Sequence, residues 1–231
     1  MPLRCCYLLI ALVTGCGHAS FNRGELRAQL NGPVAVDDEA IARALALAPQ
    51  LPRPFKLGVY FAEPRSAHDA PDWHWTEQDK NKILEAAATL KTSHEASDVF
   101  VISSATVSGV DLKSLRLAAA QHGADALLLI SGINDVDRHS NHWAWCYALI
   151  APVFFIPGTV IDSLFLAQAV MWDVRNQFLY LTADAESVKR QTRPAAFTNT
   201  RKVSDQSRTD AIDKLREEIA KQLQRMITKN S

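Results

Sequence analysis

Apolar positions along the chain recur at two periods, and the changes of period mark its elements. Residues 55–62 (FKLGVYFA) have the aromatic and β-branched content of a strand. Residues 68–75 read as loop, after which Thr76 and Asp79 have the spacing of a capping box. The helix they open places Ile83, Ala87 and Leu90 on one face. Residues 99–103 (VFVIS) follow as a strand, apolar throughout, as expected where both faces of a sheet are covered. Asp111 can cap the next helix, with Leu112, Leu115 and Ala119 inward and Gly123 as its stop. Residues 126–131 (ALLLIS) form a third buried strand. Residues 164–174 and 178–185 read as two more, joined through Arg175-Asn176. The last element, about 207–229, carries the stripe Ala211, Leu215, Ile219, Leu223 and Met226. Its surface offers Asp210 with Lys214 and Glu217 with Lys221 as i,i+4 ion pairs.

Strand–helix–strand–helix–strand at this spacing predicts an α/β fold. Three strands pair in parallel through helical crossovers, an antiparallel hairpin follows, and the sheet has about five strands with a long C-terminal helix. Upstream, residues 20–54 read as a tether ending in one short helix. Asp37, Asp38 and Glu39 start that helix, Ile41, Leu45 and Leu47 supply its apolar face, and Pro49, Pro52 and Pro54 end it. A helix through Leu117-Ala118-Ala119-Ala120 that runs by Gly123-Ala124-Asp125 into the strand at 126–130 resembles the TolB amino-terminal domain and the curli-secretion lipoprotein family. That resemblance implies the same element order over residues 55–229.

The front of the chain has a different character. One cation, Arg4, precedes the uncharged run 5–14 (CCYLLIALVT), which ends at Gly15-Cys16. A cationic start, a short apolar stretch and a small residue before the cut describe a secretory signal. Ten residues at about 1.5 Å each are too short to cross a bilayer. Val13-Thr14-Gly15-Cys16 resembles the lipobox of bacterial lipoproteins. The resemblance implies cleavage after Gly15, acylation of Cys16 and, with Gly17 rather than Asp next, the outer membrane. The expected organisation is therefore a signal peptide at 1–15, a lipid-anchored tether at 16–54 and one α/β domain at 55–231.

Composition narrows the partners. The 231 residues hold 25 Lys+Arg and 25 Asp+Glu, so no basic field invites nucleic acid. Loss of residues 1–15 would remove Cys5 and Cys6 and lipid would occupy Cys16, leaving Cys146 without an intramolecular partner. Six cations (Lys189, Arg190, Arg193, Arg201, Lys202, Arg208) against one acid, Asp205, between residues 187 and 208 read as a solvated loop leading into the last helix, the alternative being a contact with anionic lipid or an acidic partner.

The unusual stretch is 143–161 (WAWCYALIAPVFFIPGTVI), nineteen residues without a charge. It has the length of a membrane span, yet Pro152 would break a helix and Pro157-Gly158 suits a turn. Three readings stand: a spanning helix, a hairpin or broken helix buried over the sheet edge, and an exposed apolar surface meeting lipid or another protomer. The expectation is a segment packed on the sheet at its base with the Pro157-Gly158 tip exposed. Trp143, Trp145, Phe154, Phe155, Pro157 and Gly158 are the candidate interaction residues.

Candidate chemistry is sparse. Asp135, Asp137, His139 and His142 lie within eight residues and offer oxygen and imidazole ligands to a metal such as zinc. His94-Glu95-Ala96-Ser97-Asp98 has Asp98 where a zincin motif needs its second His. Trp73-His74-Trp75 can stack on a ligand or anchor a loop. There is no nucleophile elbow, Walker loop or dinucleotide fingerprint. The expectation is a non-enzymatic binding or assembly module without a cofactor, on the periplasmic face of the outer membrane, with self-association or an envelope protein as partner. The alternatives are a secretion-channel-like oligomer subunit and a metal-dependent hydrolase.

Overall fold

The computed structural model describes residues 21–31, 37–67, 70–109, 111–140, 159–194 and 199–230. The expected signal segment with Gly15 and Cys16, and the candidates His142, Trp143, Trp145, Phe154, Phe155, Pro157 and Gly158, lie outside the described residues.

In chain order the elements are α1 (Arg23–Asn31), α2 (Asp38–Leu45), β1 (Phe55–Phe61), β2 (Arg65–Ser66) and α3 (Glu77–Thr92). Then come β3 (Ala96–Val101), α4 (Leu112–Gln121), β4 (Ala126–Ser140), β5 (Thr159–Asp173), β6 (Leu179–Arg193) and α5 (Thr200–Asn230). One mixed sheet of six strands has the order β3-β1-β4-β5-β6, with the short β2 beside the far half of β4. β1 pairs in parallel with β3 and β4, while β4–β5 and β5–β6 are antiparallel. The α/β architecture with three parallel strands, a hairpin and a long last helix is as read from the chain.

Local chemistry accounts for the helix ends. The Thr76 hydroxyl accepts from the Asp79 N–H and the Asp79 carboxylate accepts from the Thr76 N–H, a complete capping box. Asp111 accepts from the Ser114 N–H, and those hydrogen bonds hold its carboxyl below the ordinary carboxylate range. Gly123 stops α4 at φ +73°, where a side chain would be strained. On one face of the sheet Ile83, Ala87 and Leu90 of α3 meet Ala211, Ile212, Leu215, Ile219 and Leu223 of α5 in the main core. On the other, Leu115, Ala118 and Ala119 of α4 cover Tyr60 and Leu127.

Several boundaries differ from expectation. β3 is an edge strand, so it is half-buried rather than buried throughout, and Val101 is exposed. β4 continues past Ser131 to Ser140, because β5 stays paired with it to the end. β5 begins at Thr159, so the last three residues of the uncharged stretch are strand, with Val160 and Ile161 buried. The six cations of the expected loop lie in regular elements: Lys189, Arg190 and Arg193 belong to β6, and Arg201, Lys202 and Arg208 to α5. The expected i,i+4 pairs on α5 give way to other partners, from β6 for Asp210 and Lys214 and from α5 itself for Glu217 and Lys221. Asp210 pairs with Lys189, Lys214 donates to the Glu186 carbonyl, and Lys221 and Glu217 pair with Glu218 and Arg216. Ile41 and Leu45 of α2 face solvent instead of packing. α1, not anticipated, buries Leu26 against Ile133, Leu164 and Leu166.

The turn between β5 and β6 is tied to the segment before β1. The Tyr180 hydroxyl donates to Asp173 at 3.0 Å and accepts from the N–H groups of Gln50 and Leu51. Asp173 is fully buried.

Candidate functional site

In open α/β sheets a ligand crevice is expected beyond the carboxyl ends of the parallel strands. Here aromatic side chains fill that place. The Trp73 indole N–H donates to the Arg65 carbonyl at 2.8 Å, and that of Trp75 to the Ala62 carbonyl at 2.7 Å. Trp73 stacks edge-on against Trp75 and Phe165, and Gly132 leaves the room that the Phe165 and Trp73 rings occupy. Of the two uses open to this Trp pair, the structure shows the anchor: both indoles pin the loop after β1 onto the sheet. His94 lies just beyond the end of α3 in the left-handed region, and Ala96 already starts β3, so His94 and Asp98 do not share a helix face.

β4, β5 and β6 extend ten residues beyond the last β1 partner, Ile130, or about 33 Å of strand. The period of two along β4 puts Asp135, Asp137 and His139 on one face, opposite Leu164, Asp162 and Val160 of β5. Asp137 and Asp162 are direct cross-strand partners. Two carboxylates in that relation repel, and the neighbouring strand supplies the counter-charge. Arg190 donates to Asp162 through Nε at 2.6 Å and Nη2 at 2.9 Å, and Asp162 is only 1% exposed. Hydrogen bonding to Asp162, then its charge, strengthens the guanidinium's hold on its proton. His139 Nδ1 lies 3.6 Å from Asp137 Oδ2, and that buried nitrogen has no hydrogen-bond partner among the described residues. The structure thus brings Asp137 and His139 together with Asp135 buried on the same face, and adds Asp162 and Arg190, which sequence spacing alone does not bring near. Among the described residues no group of three His, Cys, Asp or Glu side chains converges closely enough to hold a metal ion.

The opposite face of the extension carries a buried polar seam beneath the first turns of α5. Asn134 Nδ2 donates to Ser204 Oγ at 2.6 Å and Ser163 Oγ lies 2.8 Å from Ser207 Oγ. Arg208 donates to the His74 carbonyl and sits 3.6 Å from the buried carboxylate of Asp79. Among the described residues the partners of Ser163 and Ser207 are Asn134, the Ser204 carbonyl and each other. Open recesses flank this helix. One of about 450 Å³ runs along Asn199, Lys202, Asp205 and Thr209, and another of about 450 Å³ lies between α3 and α5 over Ala86 and Ala220. Among the described residues no helix is long and apolar enough to cross a membrane.

No protein-family model and no curated protein matches the chain. Among solved structures it is similar to a neuraminyllactose-binding hemagglutinin homolog from Helicobacter pylori, at a TM-score of 0.40 and 12% identity over 80% of this chain and 91% of that one. It is similar to a minor lipoprotein from Acinetobacter baumannii, at 0.34 and 10% over 75% and 92%. A third is lipoprotein GNA1162 from Neisseria meningitidis, at 0.28 and 14% over 67% and 94%. Two of these three are bacterial lipoproteins. Each TM-score is below 0.5 and each identity below 25%, too distant to say what this chain does.

Proposed function

We propose that the chain is a bacterial envelope lipoprotein, acylated on Cys16 after cleavage behind Gly15, that serves as a non-enzymatic binding or assembly module on the periplasmic face of the outer membrane. The observation that carries this reading is the uncharged run 5–14 ending at Val13-Thr14-Gly15-Cys16. Only five residue steps separate Cys16 from Phe21, a reach of about 18 Å at full extension. A lipid on Cys16 therefore keeps the α1 side of the domain close to the bilayer.

The proposed interaction surface is the uncharged connection between β4 and β5, with Trp143, Trp145, Phe154, Phe155, Pro157 and Gly158. Ser140 and Thr159 are cross-strand partners, so that connection leaves and re-enters the sheet side by side at the end of the extension. Its partner is an envelope protein or a second copy. Mass spectrometry of the membrane-extracted protein tests the anchor. A chain beginning at triacylated Cys16 is expected, with Cys16→Ser accumulating as the uncleaved precursor. An unmodified chain that begins elsewhere overturns the reading.

A further inference from the structure

β6 is fifteen residues long and, among the described residues, pairs only with β5. An open edge of that length is a template for another strand. Natural edges are usually blunted with charge, and β6 is charged, but its charges are ordered. Asp184 and Glu186 lie before Val188, and Lys189, Arg190 and Arg193 follow it. Val188 is itself an exposed apolar side chain, at 44%. When a second copy runs antiparallel about Val188, Glu186, two residues before it, falls across from Arg190, two residues after it. Within the chain Glu186 already meets Arg23 and Arg190 meets Asp162, so the opposed charges extend existing ion pairs.

We propose that β6 pairs with β6 of a second copy, antiparallel about a twofold axis through Val188. The Lys214 ammonium donates to the Glu186 carbonyl at 2.9 Å, the place a neighbouring strand's N–H would take. That carbonyl therefore points off the sheet, and so do the backbone groups of Asp184, Val188 and Arg190, which share its parity. In the paired edges Val188 meets its own copy, and Glu186 lies across from Arg190 on both sides of the axis. Such an isologous contact closes at two copies. α5 lies over both β5 and β6. With strands about 4.8 Å apart, an axis over the line between them sets the two copies of α5 about 10 Å apart, the usual distance of packed helices. The contact uses neither the lipid anchor nor the uncharged connection, so it stands or falls apart from the proposed function.

The test uses the full mature chain in detergent, in a Cys146→Ser background. Sedimentation equilibrium is expected to show a dimer. Val188→Cys should cross-link to itself with a short bis-maleimide, since paired Cα atoms sit about 5.5 Å apart. Thr182→Cys, six residues from the axis, and the parent chain should not. Val188→Lys places two ammonium groups on the axis and should weaken dimerisation at least roughly tenfold without changing the melting temperature. A wild-type chain that stays monomeric overturns the proposal. So does a dimer that survives Val188→Lys, and so does one that Val188→Cys fails to cross-link.

Discussion

α5 packs on the sheet in two different ways along its length. From Ala211 to Leu223 it buries Ala211, Ile212, Leu215, Ile219 and Leu223 against Ala167, Ala169, Met171 and Ala183, an interface of aliphatic side chains. From Ser204 to Arg208 the same helix buries two hydroxyls and a guanidinium against Asn134, Ser163 and Asp79. The aliphatic half contributes most of the area removed from water but tolerates small displacements, because dispersion and desolvation carry little direction. The polar half is directional. A slip of α5 by one turn would leave Asn134 and Asp79 buried without these partners, so this half opposes such a slip while adding little net stability. The two halves also follow the sheet beneath them. The aliphatic one covers the region where β4 runs beside β1, and the polar one covers the extension that β1 does not reach.

Substitutions that treat the halves differently make the comparison sharp. Leu215→Ala is expected to lower stability by roughly 2–5 kcal/mol in urea unfolding, whereas Leu215→Met should cost less than about 1.5 kcal/mol, because volume is what that site requires. In the polar half, Arg208→Met removes the guanidinium beside a carboxylate that is 3% exposed and should cost about 3 kcal/mol. Replacing both partners, as Asp79→Leu with Arg208→Met, should recover all but about 1 kcal/mol, the remainder being the lost capping box. If the double variant is no more stable than Arg208→Met, the seam is not an exchangeable ion pair and the contrast between the halves is wrong.

What could be read from the chain follows from the range of the interactions. The capping box of Thr76 and Asp79, the Asp111 cap and the Gly123 stop are contacts within a few residues, and their spacing states them outright. The α5 stripe is legible for the same reason from Ala211 onward. Its first two turns are not, since the residues they bury are Ser204, Ser207 and Arg208, whose partners Asn134, Ser163, His74 and Asp79 come from elsewhere in the chain. The far half of β4 was hidden likewise: Asn134, Asp135, Asp137 and His139 look like a polar strand end until β5 supplies the pairing partners. At the candidate site, the nearness of Asp137 to His139 is implicit in a period of two. The counter-charge Arg190 on Asp162 is a contact across 28 residues, and no local signal announces it. α1 buries Leu26 alone, too little for an amphipathic pattern to show.

The smallest expected effect concerns the opposite end of the sheet, where the β5–β6 turn holds the chain before β1. Burial, and after it the hydrogen bond to Asp173, raise the Tyr180 hydroxyl above its ordinary 10.0. The folded state therefore prefers the neutral phenol. A group raised on folding contributes its stability below the unfolded value and loses it as pH climbs through the folded one. Relative to Tyr180→Phe, the wild type should gain a constant increment of stability between about pH 6 and 9, and that increment should shrink above pH 10. Tyr60, also raised by burial, titrates in both proteins and cancels in the difference. Urea unfolding across that range reads the difference directly. An increment that persists unchanged to high pH would mean that Tyr180 contributes ring packing alone, with the link from Asp173 to Gln50 and Leu51 adding nothing to the hold on this turn.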